Sequence, residues 1–368
     1  LSIEEAAREL RKRFLRSVAI QTGASCVATG HTRDDQVETV LFRLFKGTGM
    51  RGIAGIAPRS GMIVRPLLGT GRKDLRAWLT ANGWSWREDT TNADERYERN
   101  YIRHHIIPLI EERFPTARIA VARASDMIRS ACDVFEVQTE HVVNAVEILE
   151  AGDGRSPGAL RIPRPTLEAL PDPLLHYALE DLFNTAGVGP SYERLTRSVE
   201  ALRKGGVGTR VTLDDRLSLE IGYRHVYVYG AALTNRTTDA VVVSAFPATV
   251  DWFRKRIDFE EKPASEAPAD LKGLDPREAW FDLDMVAMPL VVRQPNPGDR
   301  VITFGGHNRK LQDLFVDTKV DRLLRRRRPV ICDTAGVLWV PALVRGAAAP
   351  VTKESSRLLR IVYYSSQC

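Results

Sequence analysis

Between Gly30 and Gly49 the chain reads GHTRDDQVETVLFRLFKGTG, which gathers His31, Asp34, Asp35, Glu38, Arg43 and Lys46 within 20 residues. On a helix Asp34 and Glu38, four apart, share a face with Asp35 beside them. Taken singly, each acid has a plain reading, a carboxylate drawn to a helix start by the dipole. Taken together, acids, imidazole and cations at one strand-to-helix turn read as a ligand-binding cluster.

The elements on either side support that placement. Ala24–Thr29 is a short apolar run rich in small residues, which predicts a strand covered on both faces. Val37, Val40, Leu41, Leu44 and Phe45 then recur at helical spacing, so a helix over about 33–46 has one apolar face. The cluster therefore sits at the strand's carboxyl end, where open α/β sheets bind ligands. Before the strand, Ser2 and Glu5 form a capping box that opens a helix over 3–22. After the acidic helix come a Gly-rich turn, an extended piece ending Arg65-Pro-Leu-Leu68, and a helix from about 72 to 82 closed by Gly83.

A second cluster follows. Arg96, Arg99 and Arg103 fall at spacings of three and four on a helix expected over 94–114, kinked or restarted at Pro108. Such a stripe can grip phosphates, with Asn100 adding a planar contact, or it can pair with Glu95 and Glu98 along its own helix. Trp78, Trp84 and Trp86 read as packing residues rather than a base-stacking platform.

At 368 residues and 43% apolar composition the chain has room for two or three domains. Net charge is +6. Residues 300–328 hold nine Arg or Lys against three Asp, so this one segment matches the excess of the whole chain. Lys310 and the run Arg325, Arg326, Arg327 and Arg328 are its candidate contacts to a nucleic-acid backbone, the alternative being a solvated helix end. Four scattered cysteines give neither a disulfide framework nor a zinc site and suit a reducing cytoplasm. No apolar run approaches the roughly 20 residues of a membrane span.

Organisation along the chain is expected as an α/β portion over 1–115, a mainly helical portion with a small β meander over 116–230, a connecting segment over 231–275, and an α+β module over 276–368. One long helix is expected over 116–150, with Ile119, Ala122, Met127, Ile128, Ala131 and Phe135 inward. A linker is expected over 152–165 and a helix over 310–327.

Taken in order, the motifs resemble those of the tRNA(Ile)-lysidine synthetases of the PP-loop ATP-pyrophosphatase superfamily. The matching pieces are Gly30–Thr39, Phe42–Gly49, Arg65–Leu68, Glu88–Asn92 running on to Arg99-Asn-Tyr-Ile-Arg103, then Pro297–Arg300, Lys310–Asp317 and Arg328–Cys332. The resemblance implies a Rossmann-like PP-loop domain, a helical middle domain and a small α+β C-terminal domain that binds tRNA. It implies ATP, Mg²⁺, free L-lysine and tRNA(Ile) with a CAU anticodon as cofactors and partners, and is compatible with a homodimer. The implied reaction adenylates the wobble cytidine and then joins it to lysine. Asp34 and Asp35 would meet the metal or the lysine ammonium, and His31 the nucleotide. Glu38 would hold the amine or take its proton, with Arg43 and Arg65 near ATP. Lys46, Arg96, Arg99, Asn100 and Arg103 would contact tRNA.

One departure stands out. The family's SGGxDS phosphate loop occurs nowhere in these residues. The sequence therefore predicts an N-terminally incomplete copy that binds ATP poorly and turns over little by itself, or alternatively a non-catalytic tRNA-binding remnant. Sulfur insertion by a PP-loop relative would call for paired or persulfide-carrying cysteines, and those here are isolated.

Overall fold

The computed structural model describes residues 3–87, 98–150, 158–230, 238–253, 255–271 and 273–364. Two compact units emerge, Leu1–His141 with Ser191–Glu193, and Val142–Pro190 with Arg194–Cys368.

In the first unit, helix α1 (Ile3–Thr22) leads to strand β1 (Val27–Ala28), and helix α2 (Arg33–Lys46) follows. A short helix α3 (Met50–Ile53) lies in the Gly-rich turn, before the hairpin of β2 (Arg59–Ser60) and β3 (Ile63–Val64). β1 pairs parallel with β3, which pairs antiparallel with β2. The expected strand over 24–29 is thus shorter, and it is not covered on both faces. β1 is the edge of this sheet among the described residues, and Cys26 and Ala28 are exposed.

Helix α4 (Arg72–Ala81) ends as expected. Gly83 adopts φ +70°, and the amides of Gly83 and Trp84 bond back to the Thr80 and Leu79 carbonyls. That closure needs a left-handed residue, which glycine supplies without strain. The three tryptophans nearby do not pack inward. Trp78, Trp84 and Trp86 are 57%, 65% and 42% exposed, and the Arg76 guanidinium lies over the Trp86 ring.

Helices α5 (Glu98–Tyr101) and α6 (Ile107–Arg113) are joined by a π-helical turn, Ile102–Ile106. Pro108 explains it. Proline has no N–H for the His104 carbonyl, and its ring crowds that carbonyl. The Ile107 amide instead bonds five residues back, to Ile102. Helix α7 (Ala117–Asn144) is shorter than expected, and its buried stripe runs through Ser125, Cys132 and Thr139. Ile119 and Met127, expected inward, are exposed because Ser125 turns toward α2 instead. Val37, Leu41, Ile102 and Ile107 form the small core that clamps α2 to the π-turn and α6.

The second unit opens with a five-stranded antiparallel sheet that includes Glu147–Glu150 and Ala159–Pro163 beside the expected meander. Part of the expected linker is therefore a strand. The expected connection over 231–275 likewise contains three strands. Val241–Val243, Ala248–Trp252 and Lys255–Pro263 are paired, the last with eight residues of Arg357–Tyr364. Ile257 and Phe259 alternate inward with no exposure at all, hidden in the sequence among charges on the other face. The expected helix over 310–327 is two, Leu311–Asp317 and Arg322–Arg325. No helix among the described residues is long and apolar enough to cross a membrane.

Candidate active site

Thr32 ends an extended stretch and starts α2. Its amide and its hydroxyl both donate to Asp35 Oδ2, at 2.7 Å each, so the local sequence T-x-x-D caps the helix and aims the acid back over its first turn. From that fixed end, Asp34, Asp35 and Glu38 project from one surface of α2, and three arginines from other elements meet them.

Glu38 is the most deeply held, its side chain 4% exposed. Arg103, on the π-turn, donates from Nε to Oε1 at 2.6 Å and from Nη2 to Oε2 at 2.8 Å, a two-point pairing that fixes both planes. This bond to Glu38, opposed by burial and helped by the charges of Asp35 and Asp34, raises the Arg103 pKa above its ordinary value. Arg72 donates from Nη2 to Asp35 Oδ1 at 2.9 Å, and its own amide donates to Asp34 Oδ2 at 2.7 Å. Arg118, at the start of α7, bridges Asp34 Oδ1 and Glu111 Oε1, both at 2.8 Å. Among the described residues four carboxylates thus face three guanidiniums, an excess of one negative charge.

Every oxygen of Asp34, Asp35 and Glu38 already accepts an N–H or O–H. No group of three or more His, Cys, Asp or Glu among the described residues is placed to hold a metal ion. The expected Mg²⁺ would be held by Asp34 and Asp35 together with substrate phosphates, sharing these carboxylates with the donors already bonded to them.

The other expected residues fall in different places. His31 Nδ1 lies 2.9 Å from the Thr29 hydroxyl, on the approach to α2. Arg43 donates to the carbonyls of Gly52 and Gly55 at 3.2 and 3.0 Å, and Arg65 to that of Ala57 at 2.6 Å. Both guanidiniums hold the turn after α2. Lys46 pairs with Glu98 at 2.5 Å, and Arg99 lies over the Phe42 ring. Arg103 turns into the acid cluster while Arg99 does not, so the stripe is divided. Asn100 is half-buried beside them, and Arg96 lies outside the described residues.

In the second unit Lys310 is exposed at the end of a hairpin. The arginine run is split. Arg325 donates to the Val320 carbonyl at 3.0 Å, Arg328 to that of Pro341 at 3.2 Å, and Arg327 lies over Phe253. Arg326 is the exposed member.

Sequence reasoning missed Arg72, Arg118 and Gln36. Gln36 is 2% exposed, donates to the Ser125 hydroxyl at 2.7 Å and to the Ala54 carbonyl at 3.2 Å, and accepts from the Ile56 amide at 2.5 Å. It ties α2 to α7 and to the Gly-rich turn. A polar residue amid the apolar face of α2 was its only signal. For Arg118, placed 84 residues from Asp34, spacing offered none.

Comparison with known proteins matches residues 1–110 to the PP-loop domain model and residues 290–362 to the TilS substrate C-terminal domain model. The chain is 33% identical to the tRNA(Ile)-lysidine synthase of Parabacteroides distasonis, over 92% of this chain and 73% of that protein. It is 31% identical to the synthase of Geobacter sulfurreducens, over 98% and 76%. A solved structure, "Crystal structure of TILS C-terminal domain", covers 35% of this chain and all of its own at 26% identity and TM-score 0.32. On the extent and level of these sequence matches, the chain belongs to the tRNA(Ile)-lysidine synthase family.

Proposed function

We infer that the acid and arginine network at the start of α2 is the lysine end of a ligase site that modifies tRNA(Ile). In the proposed reaction the 2-oxo group of the wobble cytidine in a CAU anticodon attacks the α-phosphorus of ATP, and pyrophosphate leaves. The ε-amine of free lysine then attacks the adenylated carbon. AMP departs with the former oxo oxygen, and the amine gives up its proton. The product reads as an isoleucine rather than a methionine anticodon.

The observation that carries this reading is the charge balance. A site with one negative charge in excess among the described residues, lined by fixed guanidiniums, suits an ammonium group that must shed a proton before it attacks. Asp35 and Glu38 would hold the amine. The looser Arg72 contact to Glu38, at 3.8 Å, is the one an incoming ammonium displaces most readily. Asp34 would act through Arg72 and Arg118, keeping them over the site, and His31 would border the nucleotide. Arg103, with Lys46, Arg99 and Asn100, would face the tRNA. Arg43 and Arg65 serve the turn rather than the nucleotide. We place Lys310 and Arg326 against the tRNA backbone, with Arg325, Arg327 and Arg328 shaping that surface.

The SGGxDS phosphate loop is not among these residues. The test is therefore AMP release that depends on both lysine and tRNA, measured for this chain and for an upstream-extended one. Release by the extended chain supports the ligase. Tight tRNA binding with no AMP release from either would favour a non-catalytic binding role.

A further inference from the structure

One helical turn beyond the Glu38–Arg103 pair, the first unit has a hollow of about 340 Å³ that no step above uses. Phe42 lies four residues after Glu38 on α2, about 6 Å along the axis, and Ile102 directly precedes Arg103. Phe42, Phe45, Tyr101, Ile102 and Ile106 make its walls, and among the described residues its charged lining is the Lys46–Glu98 pair at the rim. Two aromatic rings stand open to water, Phe45 at 61% and Tyr101 at 50% exposure. Lys46 and Arg99 both lie over the Phe42 ring, at 5.8 and 5.4 Å from its centre. Exposed rings of this size cost hydration free energy.

We propose that this hollow is a nucleobase subsite, taking one unstacked base of a single-stranded RNA segment while Lys46 and Arg99 face its phosphate. A base has a flat π face for Phe45 and Tyr101, and its phosphate would compete with Glu98 for Lys46. The spacing fits as well. A base seated here is one step along an unstacked strand from a nucleotide presented to Glu38 and Arg103. The proposal rests on the reading of an RNA substrate and adds to it a second contact, one that reads stacking rather than charge.

The test is fluorescence anisotropy of the full chain with a short single-stranded RNA of anticodon-loop sequence. The same RNA is also made abasic at each position in turn. Phe45→Ala should weaken binding about 5- to 150-fold, the range for one stacked base, with an unchanged salt slope. Phe45→Trp should retain the affinity. One abasic RNA should show the same loss with the unaltered chain and no further loss with Phe45→Ala. Because Phe45 is exposed, these variants fold. Equal binding by Phe45→Ala, equal additional losses at every abasic position, or a change in self-association instead of RNA affinity would overturn the subsite. Coupling without lysine-dependent AMP release from the upstream-extended chain would sink the ligase reading alone, and AMP release from that chain without coupling would sink this subsite alone. No RNA binding by the unaltered chain would sink both.

Discussion

Glu38 and Arg103 are joined at two points, 2.6 and 2.8 Å, across 65 residues of sequence. The pair fastens α2 to the π-turn, so it is a structural tie as well as a feature of the site. Removing one partner leaves a buried charge uncompensated, which costs about 3–5 kcal/mol for a fully buried pair. Arg103 is 18% exposed, so the lower end applies. Arg103→Met should therefore destabilise the first unit by about 3 kcal/mol, and Glu38→Leu combined with it should recover part of that loss. Urea unfolding of the two single variants and the double variant measures the coupling.

The turn after α2 offers a separate check. Gly55 has φ +69°, and a Cβ there would stand 2.6 Å from Gln36 Oε1. Gly55→Ala combines left-handed strain with that collision, and should cost about 2 kcal/mol. Adding Gln36→Ala should relieve the collision but not the strain, so thermal unfolding of the double variant should fall short of additivity.

The basic segment of the second unit should divide by residue. Arg326→Ser should lower tRNA affinity and reduce the salt slope by about one. Arg325→Ser and Arg328→Ser should instead lower stability, since their guanidiniums bond to carbonyls. Filter binding across a salt series, run beside urea unfolding, separates the two.

Buried phenols, Tyr227 and Tyr229 among them, set an alkaline limit. Burial, then the bond to Glu220, pushes the Tyr229 pKa up to about 12, and burial with Asp321 raises that of Tyr227. The folded state keeps these protons above pH 10, where the unfolded chain releases them. Stability contributed this way is intact below pH 10 and is lost as pH rises toward 12. At about 1.4 kcal/mol per unit, the loss should reach about 2 kcal/mol or more, and Tyr229→Phe should remove its share. Urea midpoints from pH 9 upward give the comparison.

Much of the frame was legible because local rules governed it. The span of α2, Arg33–Lys46, and the end of α4 at Gly83 follow from residues close in sequence. The π-turn was only half legible, since Pro108 announces a disturbance but not the form it takes. The strand Lys255–Pro263 was hidden by its charged outer face. In the site, the shared surface of Asp34, Asp35 and Glu38 could be read from spacing. Their partners Arg72 and Arg118 could not, because tertiary packing alone brings them there.

The central claim is that the acids of α2 receive the lysine amine. Its most direct test is incorporation of isotope-labelled lysine into tRNA(Ile) by the upstream-extended chain carrying Asp35→Asn, which keeps a cap-forming oxygen but removes the charge. The account predicts a fall of about a hundredfold or more with tRNA affinity intact. Incorporation at the unaltered rate would contradict it.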